Sequence, residues 1–124
     1  MNWKGVVIEE SLEDKKLLNL VNIVNTKKSA LENEGDRGVL HFHEIELSDK
    51  KRSEFINKAK NSIKQSWYIH ICKNEKMVVI FRNKIFEFSD QEMNKLNEAR
   101  NYGLSIGIIR EQMPFEKLIT DLYS

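Results

Sequence analysis

All three histidines and the single cysteine fall into two short spacings, His41-x-His43 and His70-x-Cys72. Residues i and i+2 of a β-strand share a face, so each spacing presents two side chains of metal-ligating type together. Were the two strands adjacent and in register, the four groups would form a His3Cys zinc site. The neighbours of His70 and Cys72 argue otherwise, because a thiol packed among Tyr, Phe and Val side chains is inert. A site of two histidines and one carboxylate fails too, since Glu44 and Glu46 alternate away from His41 and His43. The expectation is therefore no metal and no cofactor. Cys72 as a nucleophile would need exposure, and no Gly-rich turn or helix N-terminus stands beside it to hold an oxyanion. Acidic pairs such as Glu9-Glu10 read as solvated surface, and no Walker, Rossmann or zinc-knuckle spacing is present.

The elements that would position these groups follow from periodicity. Trp3 to Glu9 reads as a short apolar strand, and Ser11-Leu12-Glu13-Asp14 as the cap of a short helix with Leu17, Leu18 and Val21 on its buried side. From Leu20 to Glu32 two readings stand: Val21 to Thr26 suits a strand, while Ala30-Leu31-Glu32 could prolong the helix. The turn cluster that follows favours the strand, and the segment Gly38 to Leu47 reads as another. Between them the cluster Glu34-Gly35-Asp36-Arg37-Gly38 makes a hairpin turn. A second helix opens at Ser48-Asp49 and runs to Lys64, with Phe55, Ile56, Ala59 and Ile63 at helical period.

The block from Ser66 to Ser89 reads as three strands with tight turns at Asn74-Glu75 and near Asn83. Ser89-x-x-Glu92 is a capping box for a third helix ending at Gly103. The tail is expected to hold a strand fragment, then a short helix opened by Pro114. This order predicts an α+β domain over residues 1–124. It has a ferredoxin-like β-α-β-β-α-β core, a C-terminal meander, and helices packed on an antiparallel sheet. In such a sheet the first strand separates the His41 strand from the His70 strand.

Two-residue turns fix which side chains of the three-strand block share a face. Tyr68, His70 and Cys72 align with Met77, Val79 and Phe81 and then with Phe86 and Phe88. Trp67, Ile69 and Ile71 align with Val78, Ile80 and Arg82 and then with Ile85 and Glu87. Both faces are apolar, whereas an antiparallel sheet with one wet face alternates. Helices can cover one face. The other must be covered by the chain's own tail or by a second copy, which would make a homo-oligomer through the apolar sheet face.

The 124 residues are 40% hydrophobic and 31% charged, with a net charge of +1, which leaves no whole-molecule field for nucleic acid or an anionic membrane. The one basic element, Asp49 to Lys64, carries six bases against two acids. Its one aromatic, Phe55, belongs to the apolar stripe and is not among the bases for base stacking, which argues against nucleic acid as a partner. The longest apolar run is Met77 to Phe81, far short of a membrane span. The opening MNWKGVVIEE shows no signal-peptide pattern, and one cysteine rules out an internal disulfide, so a cytoplasmic setting is expected.

Ser66-Trp67-Tyr68, Phe81-Arg82-Asn83-Lys84, Ile85-Phe86 and Tyr102-Gly103-Leu104-Ser105-Ile106-Gly107-Ile108 carry a resemblance to a group of small uncharacterised prokaryotic proteins. That resemblance implies a free-standing domain and carries no activity, cofactor or site residue with it. The functional expectation is a binding or assembly module without chemistry of its own, presenting an apolar patch around Trp67, Ile69 and Arg82. The rival is a small enzyme or ligand-binding protein for a small-molecule or protein partner. For it, Trp67, Tyr68, Arg82, His41, His43 and His70 are the candidate contacts, and several of them must converge on one cavity.

Overall fold

A computed structural model describes residues 2–29 and 39–120 of the chain. Six strands form one antiparallel sheet: β1 (Trp3–Ile8), β2 (Asn22–Ser29), β3 (Leu40–Leu47), β4 (Ile69–Lys73), β5 (Lys76–Phe81) and β6 (Lys84–Ser89). Their order across the sheet is β2-β3-β1-β4-β5-β6. The first four strands have the ferredoxin-like arrangement, and β5 and β6 extend it as a meander, so the α+β architecture expected from the sequence is the one observed. The hairpin cluster at 34–38 lies outside the described residues.

The meander keeps the predicted register. His70 faces Val79, Cys72 faces Met77, and these face Phe86 and Phe88 in turn. Asn74 and Glu75 both take positive φ (51° and 64°), the geometry of a two-residue turn matched to strand twist, and Asn83 takes φ 61° in the next turn. Every residue of β5 after Lys76 is buried.

Each face of this apolar block has its own cover. On one side α1 (Arg52–Ser62) and a 3-10 helix at Lys15–Leu20 supply Phe55, Ile56, Ala59 and Leu17 to a core that includes Trp3, Val7, Ile45, Ile69, Ile71, Val78 and Ile80. On the other side α2 (Met93–Ser105) and the tail with α3 (Phe115–Leu118) supply Leu96, Ala99, Met113, Phe115 and Ile119 against Cys72, Met77, Val79, Phe81 and Phe88. The chain's own tail therefore covers the second sheet face. Ile69 is fully buried and Trp67 packs on the α1 side, so the exposed patch expected around Trp67, Ile69 and Arg82 is not formed.

Several local expectations are corrected. The first crossover is two short 3-10 turns rather than an α-helix. Its N-cap is Asp14, whose carboxylate accepts from the Lys16 amide at 2.9 Å, while Ser11 donates to the Ile8 carbonyl. Asp49 does not cap α1 through its side chain. It accepts from Trp3 Nε1 at 2.7 Å and pairs with Lys73 at 2.5 Å, tying the helix start to β1 and β4. Helix α2 runs through Gly103 and ends two residues later. Gly107 takes φ +97°, and the Ile108 and Gly107 amides donate to the Gly103 and Leu104 carbonyls, a Schellman close. The tail's strand fragment is replaced by a 3-10 turn at Arg110–Gln112. Gly103 is kept small because Met113 lies where its Cβ would be.

Gly5 marks the tightest approach in the sheet, since a Cβ there would collide with the backbone carbonyl of His70 on β4. Relief requires β1 and β4 to part, whereas at Gly103 only the Met113 side chain must turn. Gly5→Ala is expected to cost about 3 kcal/mol, at the upper end of overpacking penalties. Gly103→Ala should cost less, with part of its cost returned by helix propensity. Urea denaturation of the two variants checks the ranking.

Candidate functional site

The sheet separates the sequence-predicted site residues. Opposite residues of an antiparallel pair share a face, so the pairings Val7↔His43, Gly5↔Ile45 and Gly5↔Ile71 place His41 and His43 on the α1 face with Ile71. His70 and Cys72 lie on the α2 face, two strands away. The His3Cys combination is excluded by this placement, and no metal-holding group of three or more His, Cys, Asp or Glu occurs among the described residues.

The remaining candidates are also dispersed. Tyr68 is half-buried on the α2 face. Its ring meets Phe115 edge-on at 5.4 Å, and its hydroxyl donates to the Gln112 carbonyl at 2.5 Å. Burial pushes this phenol above the ordinary tyrosine range. Arg82 sits in the β5–β6 turn, where it pairs with Glu13 and donates to the Ile63 carbonyl at 3.1 Å. Glu87 pairs with Arg52 at 2.6 Å. Tyr68 and Arg82 are thus fastenings for the tail and the first crossover. His70 is buried on the α2 face with its ring 6.3 Å from that of Tyr68. Cys72 is buried with its sulfur 3.7 Å from the Leu118 carbonyl, and burial pushes its thiol up to about 12, so it is unreactive at neutral pH. It backs a cleft of about 270 Å3 between the β4–β5 turn and Ile119-Thr120.

His41 and His43 do come together, with partners the sequence reading passed over. The chain leaves β1 into a 3-10 turn at Glu9–Ser11, which lays both glutamates against β3. Glu10 accepts from the His41 amide at 2.7 Å through one oxygen and meets His41 Nδ1 at 2.6 Å through the other. Glu9 meets His43 Nε2 at 2.9 Å, and its second oxygen lies 3.5 Å from Lys15 Nζ. On the far side of the His43 ring, Nδ1 lies 2.8 Å from Thr26 Oγ1 on β2. A carboxylate only accepts, so Nε2 carries the hydrogen bonded to Glu9. In the neutral ring Nδ1 is then the acceptor, and the Thr26 hydroxyl donates to it. His43 is 7% exposed, while Thr26 stands in the exposed row of β2.

This Glu9–His43–Thr26 chain, with the Glu10–His41 pair beside it, is the main convergence of polar chemistry among the described residues. A signal for Thr26 existed in its place on a strand beside the His41-x-His43 strand. Its partner across the hairpin depends on the register, which a long connection does not reveal. The second face of the same hairpin holds Glu44, which accepts from Asn25 Nδ2 at 2.9 Å and lies 3.7 Å from Lys27 Nζ. A scan against protein-family models, a search of curated proteins and a search of solved structures each return no match.

The glutamates make the corner acid-sensitive. The His43 hydrogen bond holds the Glu9 carboxyl below the usual range. At Glu10 burial raises the value, but the hydrogen bonds from His41 outweigh it and the net shift is downward. A carboxyl depressed on folding adds stability above its unfolded value, about 4.3, and loses it as pH falls through the folded value. The thermal midpoint of the native chain should therefore drop more steeply below about pH 4.3 than that of a Glu9→Gln/Glu10→Gln variant. Parallel profiles would show that the two pairs contribute nothing.

Proposed function

We propose that the protein is a binding and assembly module of the cytoplasm that works through the open edge of its sheet, and that the partner at this edge is a second copy of the chain. The observation carrying this reading is the state of β2. It ends the sheet, pairs with β3 alone among the described strands, and is exposed from Asn22 to Lys28, including Ile23 at 44% and Val24 at 52%. With both faces of β4–β6 filled by the chain's own helices, the assembly expected through a sheet face moves to an edge.

The distribution of charge along β2 favours a copy of itself over other strands. Its first half, Asn22 to Asn25, is uncharged and its second half holds Lys27 and Lys28. Run antiparallel about a two-fold axis at Asn25, Asn22 and Ile23 face Lys28 and Lys27 of the second copy, and no lysine opposes a lysine. Shifted registers that bring lysines together are penalised. The bulge between Ile23 and Asn25 and the two lysines also guard the edge against indiscriminate strands. The single cysteine, buried, is the thiol usage of a reducing compartment.

Light scattering on the purified chain is expected to give twice the monomer mass at micromolar concentration. Val24→Lys should return it to the monomer mass without changing the circular dichroism spectrum. A native chain that stays at monomer mass over the accessible concentration range would overturn the reading.

A further inference from the structure

Beyond assembly, the β2–β3 corner has the parts of an activated hydroxyl. A side-chain nucleophile is raised above its ordinary reactivity when a base lies within hydrogen-bonding distance and a third group orients that base. Here the base is His43, whose Nδ1 lies 2.8 Å from Thr26 Oγ1, and the orienting group is Glu9, 2.9 Å from Nε2. The carboxylate fixes the tautomer that leaves Nδ1 bare toward the hydroxyl, and it stabilises the imidazolium that forms when the proton moves. His43 is almost fully buried, so the ring is held in place, while Thr26 is an exposed residue of the edge strand. Lys28, two residues along β2 and opposite His41, belongs to the same sheet face as Thr26. An isolated cross-strand Thr–His hydrogen bond would need no carboxylate behind the ring.

We infer that Thr26 is an acyl-accepting nucleophile, with His43 as its general base and Glu9 as the positioning residue, and that it takes the acyl group of an activated ester. In the step, Thr26 Oγ1 bonds to the ester carbonyl carbon as its proton passes to His43 Nδ1. The bond from that carbon to the leaving oxygen then breaks, the electron pair departs with the oxygen, and His43 returns the proton to it. The products are the threonine ester and the free alcohol or phenol. Water, deprotonated by the same ring, reverses the attachment and releases the carboxylic acid. Thr26 is exposed on the sheet face it shares with His43, so the site suits an acyl group presented on an extended or large carrier. The inference stands on the Glu9–His43–Thr26 geometry and does not depend on the β2 edge binding a second copy.

The test uses the full chain and p-nitrophenyl acetate, with the products mapped by peptide mass spectrometry. An acetyl ester on Thr26 is cleaved by hydroxylamine, whereas acetyl amides on Lys27 and Lys28 resist it. The expected result is a hydroxylamine-labile acetyl on Thr26 that is absent in Thr26→Val, a variant of nearly the same shape. His43→Gln should slow its formation by on the order of 100-fold, the usual contribution of a general base. Glu9→Asp should retain more of the rate than Glu9→Gln. Label confined to hydroxylamine-stable amides would overturn the inference, and so would a Thr26 ester that forms equally fast in His43→Gln.

Discussion

A strand block that is apolar on both faces cannot meet water on either, and the rest of this fold answers that constraint. From Met77 to Phe81 every side chain of β5 is buried, so each alternate residue needs a separate partner layer. Helix α1 and the Lys15–Leu20 turn form one layer; α2 and the tail form the other. The polar fastenings serve the same end. Asp49 holds α1 to Trp3 and Lys73, Tyr68 holds the tail through Gln112, and Arg100 reaches the Met113 carbonyl and Glu116. Losing either cover would open a large apolar surface at roughly 25 cal/mol per Å2.

This division of labour determines where function can reside. Among the described residues the covered meander brings no polar site together: His70 and Cys72 are buried, and Tyr68 and Arg82 are fasteners. The other half of the sheet, β2 and β3, is less fully covered, and that is where alternating polar side chains appear. His41 and His43 use the α1 face to meet Glu10, Glu9 and Thr26, while Glu44 uses the opposite face to meet Asn25 and Lys27. The exposed edge and the hydrogen-bonded relay therefore lie on one hairpin, with β1 between it and the β4–β6 meander.

Much of the fold was legible in the sequence because its signals were local. Asn74-Glu75 and Asn83 set two tight turns, and those turns dictated the whole β4–β6 register. Phe55, Ile56 and Ala59 of the predicted stripe lie on α1, whereas Ile63 is the extended residue that ends it. Although the Ser89 amide donates to Glu92, Ser89 closes β6 and Glu92 is the N-cap of α2, so the expected Ser89 cap is displaced by three residues. What could not be read was set by distant partners. Asp49 looks like a helix cap until Trp3 and Lys73 compete for its oxygens. Gly103 looks like a helix stop, yet it is the small residue that admits Met113, and the stop is Gly107. Glu9 and Glu10 resemble any surface acids until a 3-10 turn folds them onto β3. Thr26 met His43 through a register set by the whole hairpin.

With both faces of the β4–β6 meander covered, the β2 edge is where the proposed second copy would add. Amide hydrogen exchange over a dilution series tests it most directly, because strand addition protects backbone amides that are otherwise open to water. The account predicts slow exchange in β5 at every concentration, and exchange in residues 22–29 that slows as concentration rises. Amides of β2 that exchange at one fast rate throughout the series would contradict it.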